Sequence, residues 1–142
     1  MALDPEKYHG LAGMRVALRR FVAASEVINR EAGITQQQYQ AMLAIKTRPH
    51  EAMSVKELAE QLLLTHQATV QLVDRLAKGG LAKRYPSEDD RRSVLLRLTP
   101  AGEVLLDDLA TKHLEEMLRQ EPLLSQSLKR LKSLGPSGAD RG

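Results

Sequence analysis

Between Ser54 and Gly102 the hydrophobic pattern of the chain changes period once, and this change restricts the fold more than any other feature. Up to Gly79-Gly80 the apolar residues recur at helical spacing, and beyond it they alternate. Ser54 and Glu57 stand at the spacing of a capping box: the Ser hydroxyl accepts from the N–H three residues on, and the Glu carboxylate accepts from the cap's own N–H. A helix is predicted from Val55. It buries Val55, Leu58, Ala59 and Leu62 along one stripe and leaves Lys56, Glu57, Glu60 and Gln61 to water. After a turn at Leu63-Leu64, Thr65 caps a second helix whose buried stripe is Ala68, Leu72, Val73 and Leu76, with left-handed termination at Gly79 and Gly80. Two helices joined by so short a turn cross steeply.

Past the glycines, Leu81, Lys83 and Tyr85 fall on one face of a strand and Ala82 and Arg84 on the other, and Val94, Leu96 and Leu98 alternate with Leu95 and Arg97 on its return. The loop Pro86 to Asp90 joins them, and Asp89, Asp90, Arg91 and Arg92 form the hairpin tip. Thr99 caps a further helix with Pro100 at its first position, where a missing N–H is harmless, and Glu103 near its positive end. This is the plan of a winged helix-turn-helix: a mostly α (α+β) fold with a two-stranded β-wing.

These residues resemble the DNA-binding core of the MarR family of transcriptional regulators. The family's recognition helix ends in D-R-L, followed by a Gly-Leu step, a D-x-R-S wing tip and an L-T-x-x-G exit. They are matched by Asp74-Arg75-Leu76, Gly80-Leu81, Asp90-Arg91-Arg92-Ser93 and Leu98-Thr99-Pro100-Ala101-Gly102. Four ordered sub-motifs at matching spacing make a specific signal. The resemblance departs at two positions: Leu63 stands where the turn commonly has Gly, and Gln71 where many relatives have Arg. Keeping a left-handed turn at Leu63 is expected to cost roughly 1 kcal/mol.

Towards the N-terminus, Leu11, Met14, Leu18, Phe21, Ser25 and Ile28 form one seam on a helix from about Pro5 to Glu31. Thr35 to Gln38 is a second capping box, leading into a helix with Tyr39, Met42, Leu43 and Ile45 buried. Pro49 closes that helix. The linker from His50 to Met53 is read without a strand, although winged-helix proteins often carry one there. After Gly102, a stripe of Val104, Leu105, Leu109, His113, Leu114 and Met117 continues the helix towards Gln120. Pro122 is expected to break it and Leu123, Leu124, Leu128, Leu131 and Leu134 to form a shorter last helix. The expected organisation is a single domain over 1–142: dimerisation helices at 5–31 and 100–135, a winged core at 34–99, and a tail at 136–142 with nothing to bury, expected to be disordered. Its surplus of apolar helix surface calls for a homodimer, which the resembled family forms through the same helices.

Composition sets bounds. At 142 residues and 42% apolar the chain can bury one good core, and its net charge of +3 permits an anionic partner without requiring one. The absence of cysteine excludes a disulfide framework and a thiol sensor. With no long apolar run and no leader-like start, a cytoplasmic location away from membranes is expected. His9, His50 and His113 are scattered, with no partner at a metal-ligand spacing, so neither a metal nor another cofactor is expected. No nucleophile with a base, phosphate loop or carboxylate pair marks an enzyme.

The resemblance implies a regulator that binds double-stranded DNA at a palindromic promoter site, with two recognition helices about 34 Å apart. Thr65, His66, Gln67, Thr69, Val70 and Gln71 are expected on the exposed first turns of the recognition helix. There Gln can pair with adenine and Thr or Val can touch a thymine methyl. Arg75, Arg84, Arg91 and Arg92, with Lys78, Lys83 and Arg97, are the expected phosphate and minor-groove contacts. Asp90 would hold Arg92, and Asp74 would brace the wing. A charged hairpin tip alone is ordinarily just a solvated loop; the ordered sub-motifs turn that reading towards DNA. The resemblance also places a small aromatic or phenolic effector near Tyr8, Phe21, Tyr39 and Met42, although core packing is the ordinary use of such residues. The alternative is a winged-helix module for protein contacts.

Overall fold

Three hydroxyl side chains fix where the central helices begin. Thr35 accepts from Gln38 N–H at 3.1 Å while Gln38 Oε1 accepts from Thr35 N–H at 2.8 Å. Ser54 and Glu57 repeat the arrangement at 3.1 and 3.2 Å, and Thr65 Oγ1 accepts from Ala68 N–H at 3.1 Å. The computed structural model describes residues 2–87 and 94–133. Its elements run α1 (Pro5–Glu31), α2 (Gln36–Lys46), β1 (Met53–Ser54), α3 (Val55–Leu62), α4 (His66–Lys78), β2 (Ala82–Pro86), β3 (Val94–Leu98) and α5 (Pro100–Ser133). A single 3-10 turn, Pro49–Glu51, precedes β1. By its contacts the chain divides into two compact units, Asn29–Thr111 and the pair of segments Met1–Ile28 and Lys112–Gly142.

In the first unit, α2, α3 and α4 pack against an antiparallel sheet of order β1-β3-β2. Met42, Ile45, Met53, Leu58, Leu72, Leu76 and Leu96 are among its fully buried side chains. The sheet has three strands where the sequence suggested two. Met53 is 1% exposed and lies opposite Leu96, so its burial draws the chain onto the free edge of β3 just before Ser54 caps α3. A two-residue strand is too short to leave an alternating pattern in the sequence. Leu43 is also a correction: it is 40% exposed, because α2 buries Ala41, Met42, Ala44 and Ile45 and so turns Leu43 outward.

Of the two glycines after α4 only Gly80 is left-handed, at φ +71°, and it lets Leu81 N–H reach back to Leu76 carbonyl at 2.9 Å. The turn between α3 and α4 keeps its left-handed residue despite the missing glycine. Leu63 sits at φ 56° and ψ 42° with its side chain 91% exposed, so it bears the strain without burying anything in return. Leu63→Gly is therefore expected to raise stability by about 0.5–1 kcal/mol, seen as a higher urea midpoint at an unchanged m-value. A lower midpoint would show that the Leu side chain has a use on that surface.

In the second unit, the early part of α1 packs along the late part of α5. Pro122 does not break α5, which runs through it to Ser133. Proline removes one N–H from the helical ladder, but the residues beyond it are held by packing. Leu123, Ser127 and Leu131 lie against Gly10 and Gly13, where a Cβ would crowd Leu131 at position 10 and run into the Ser127 hydroxyl at position 13. Further along the pair, Ser25 Oγ and His113 Nε2 are 2.7 Å apart, both residues are buried, and the Phe21 ring meets the imidazole edge-on at 6.2 Å.

Candidate nucleic-acid interface

The first turns of α4 carry the expected polar side chains. Thr65, His66, Gln67 and Gln71 are exposed, Val70 is half-buried, and Arg75 is exposed one turn further on. Gln67 and Gln71 are one helical turn apart and so share a face. Thr69 does not belong to this set. It is 0% exposed and its hydroxyl donates to Thr65 carbonyl at 2.8 Å, because position 69 falls on the stripe that buries Leu72, Val73 and Leu76. Ala68, expected in that stripe, is only half-buried.

The wing strands are set beside α4 by specific contacts. Arg84 on β2 forms an ion pair with Asp74 on α4, so the two residues predicted separately as phosphate contact and brace are partners. Both are well exposed and such a pair is worth little stability, up to about 1 kcal/mol, but it fixes direction. Asp90, Arg91 and Arg92 lie outside the described residues. Arg97, on the opposite face of the sheet, donates to His50 carbonyl at 3.0 Å, and Lys83 Nζ lies 5.6 Å over the Tyr85 ring. His50 and Glu51 are both left-handed, with φ of 60° and 52°. That pair of turns had no signal in the sequence.

Two connections behind the interface also escaped sequence reasoning. Lys46 Nζ sits 2.8 Å from Glu103 and 2.9 Å from Glu51, and these carboxylates, Glu103 first, hold its pKa well above the ordinary lysine range. Arg48 pairs with Glu57, the same residue that closes the α3 cap. A groove of about 380 Å³ opens next to α4, lined by Ser54, Val55, Lys56, His66, Val70, Arg84 and Val94. Neither Lys56 nor this groove was singled out from sequence, since a lone exposed lysine on a helix is ordinary. Among the described residues, no three acidic, His or Cys side chains are grouped to hold a metal, and no helix is long and apolar enough to cross a membrane.

The MarR family model matches residues 32–93, the stretch that holds α2, β1, α3, α4 and the first wing strand, β2. The organic hydroperoxide resistance transcriptional regulator of Bacillus subtilis is 37% identical over 100 residues, which are 70% of this chain and 66% of that protein. The chain belongs to the MarR family. It spans only 48% and 45% of two other B. subtilis regulators that it matches at 37% and 36% identity. Among solved structures, AbsC of Streptomyces coelicolor, a MarR family transcriptional regulator, superposes with a TM-score of 0.75 at 20% identity, covering 99% of this chain and 97% of that one. A mutant MarR from E. coli complexed with operator DNA gives 0.64 at 21% identity, over 82% of this chain and 89% of that one. The MarR fold thus extends to the helices that flank the core.

Proposed function

We propose that this chain is a sequence-specific, DNA-binding transcriptional regulator that acts in the cytoplasm as a homodimer on a roughly palindromic promoter site. The observation that carries the proposal is the exposed polar face at the start of α4, with the wing strands tied beside it through Asp74 and Arg84. An isolated helix end of this kind fits the major groove, and Thr65, His66, Gln67, Val70 and Gln71 are the side chains that face it there. With Gln rather than Arg at 71, direct readout favours adenine and thymine over guanine. Arg75 and Arg84 take phosphates, and Arg91 and Arg92 enter the minor groove from the wing tip, steadied by Asp90.

Large apolar side chains left open on the flanking helices support the dimer: Tyr8 is 59% exposed, Leu11 48%, Leu114 58% and Leu118 60%. Two-fold pairing through them places two copies of α4 for one duplex. Occupying a promoter makes the protein a repressor, released by a small aromatic or phenolic effector. The relative from B. subtilis is named for hydroperoxide resistance. These 142 residues hold no cysteine, so a thiol-based response is not open to them.

Selection of bound fragments from genomic DNA, followed by salt titration on the selected operator and a scrambled duplex, tests the proposal. The wild type is expected to prefer the operator by at least about 1000-fold. Arg75→Ala should weaken both duplexes alike and make the salt slope shallower by about 0.9. A wild-type protein that holds no selected duplex better than the scrambled one would leave a winged-helix module for protein contacts as the better reading.

A further inference from the structure

We propose that the groove between α3, α4 and the wing receives a sugar–phosphate segment of the DNA backbone, with Lys56 as a phosphate contact beyond those assigned above; the inference rests on the DNA-binding reading. Three regions contribute to the groove: Ser54, Val55 and Lys56 come from the β1–α3 junction, His66 and Val70 from α4, and Arg84 and Val94 from the wing strands. Its basic groups, Lys56, His66 and Arg84, thus come from three separate places in the sequence and share the lining with three valines, Val55, Val70 and Val94. Among the described residues Arg84 is paired with Asp74, and no ion pair holds Lys56 or His66. With Arg84 held by Asp74, the Lys56 ammonium is left at the groove for an anion. A deoxyribose–phosphate unit has the matching chemistry, with C–H faces for the valines and a charged oxygen group for the cations.

Position supports the same occupant. His66 and Val70 are one turn apart on α4, so they share a face, and Gln67 and Gln71 lie about 100° further round the same helix. A strand running through the groove therefore passes beside the helix face that carries the two glutamines. Lys56 is exposed, in the first turn of α3, and its side chain takes no part in the Ser54–Glu57 cap, so replacing it leaves the fold intact.

The test compares wild type, Lys56→Gln and Lys56→Arg by salt titration on the operator and on a scrambled duplex, with ethylation interference to map essential phosphates. Lys56→Gln is expected to raise Kd on both duplexes by on the order of tenfold at 0.1 M salt and to make the salt slope shallower by about 0.9. One interference position per half-site should vanish, and Lys56→Arg should restore all three readouts. Unchanged affinity and slope in Lys56→Gln, with Arg75→Ala still weakened, would overturn this contact and leave DNA binding standing. A loss confined to the operator would overturn it too, because that marks a base contact. Failure of the wild type to bind any duplex would remove the DNA-binding reading itself.

Discussion

Gly102→Val is expected to destabilise the protein by about 3 kcal/mol or more, a fall in Tm on the order of 10 °C. The cause is a close approach of backbone. A Cβ at 102 would run into the carbonyl of Leu81, and that carbonyl is already engaged, accepting from Thr99 N–H at 3.0 Å. Thr99 adds two further ties, its hydroxyl lying 2.5 Å from Gly80 carbonyl and accepting from Gly102 N–H at 3.0 Å. The first turn of α5 is thereby locked to the corner between α4 and β2, and neither side can retreat without breaking a hydrogen bond. Gly102→Ala discriminates more sharply. Helix propensity alone predicts a gain of roughly 1 kcal/mol, whereas the contact predicts a net loss. Thermal unfolding of both variants decides, and a more stable Ala variant would show that the corner yields. Because Leu81 leads into β2, each variant should also weaken DNA binding by shifting the wing against α4.

The double replacement Gln67→Ala and Gln71→Ala is expected to erase most of the preference for operator over scrambled DNA. If each glutamine pairs bidentately with a base, losing both removes about 2–4 kcal/mol of discrimination, a factor of roughly 30 to 1000. Both side chains are exposed and alanine is the better helix former, so the fold should be no less stable. Affinity for the scrambled duplex and the salt slope should stay as in wild type, since neither residue carries charge. A uniform loss on both duplexes would place α4 against the backbone and move base reading elsewhere.

Local signals in the sequence were strong wherever one residue acts on its near neighbours. The caps at Thr35, Ser54 and Thr65 begin their helices as read, the Gly80 turn ends α4, and α1 runs from Pro5 to Glu31 as the seam predicted. The two wing strands also stand where the alternation put them, and the structure pairs Ala82 with Leu98 and Arg84 with Leu96. Each of these depends on hydrogen bonds or periodicities within a few residues, which the order of amino acids states directly.

What the sequence left open depended on partners far along the chain. Pro122 favours a break, yet α5 runs through it, and the residues beyond, Leu123, Ser127 and Leu131, lie against Gly10 and Gly13. Thr69 reads as a polar recognition residue, and only the depth of the core beneath α4 makes it a buried one. Met53 becomes a strand because β3 has a free edge to receive it. The groove at Lys56 exists because residues near 55, 66, 84 and 94 converge in space. Propensity and periodicity are sums over neighbours, whereas burial and charge clustering are properties of surfaces that form only once the elements have packed.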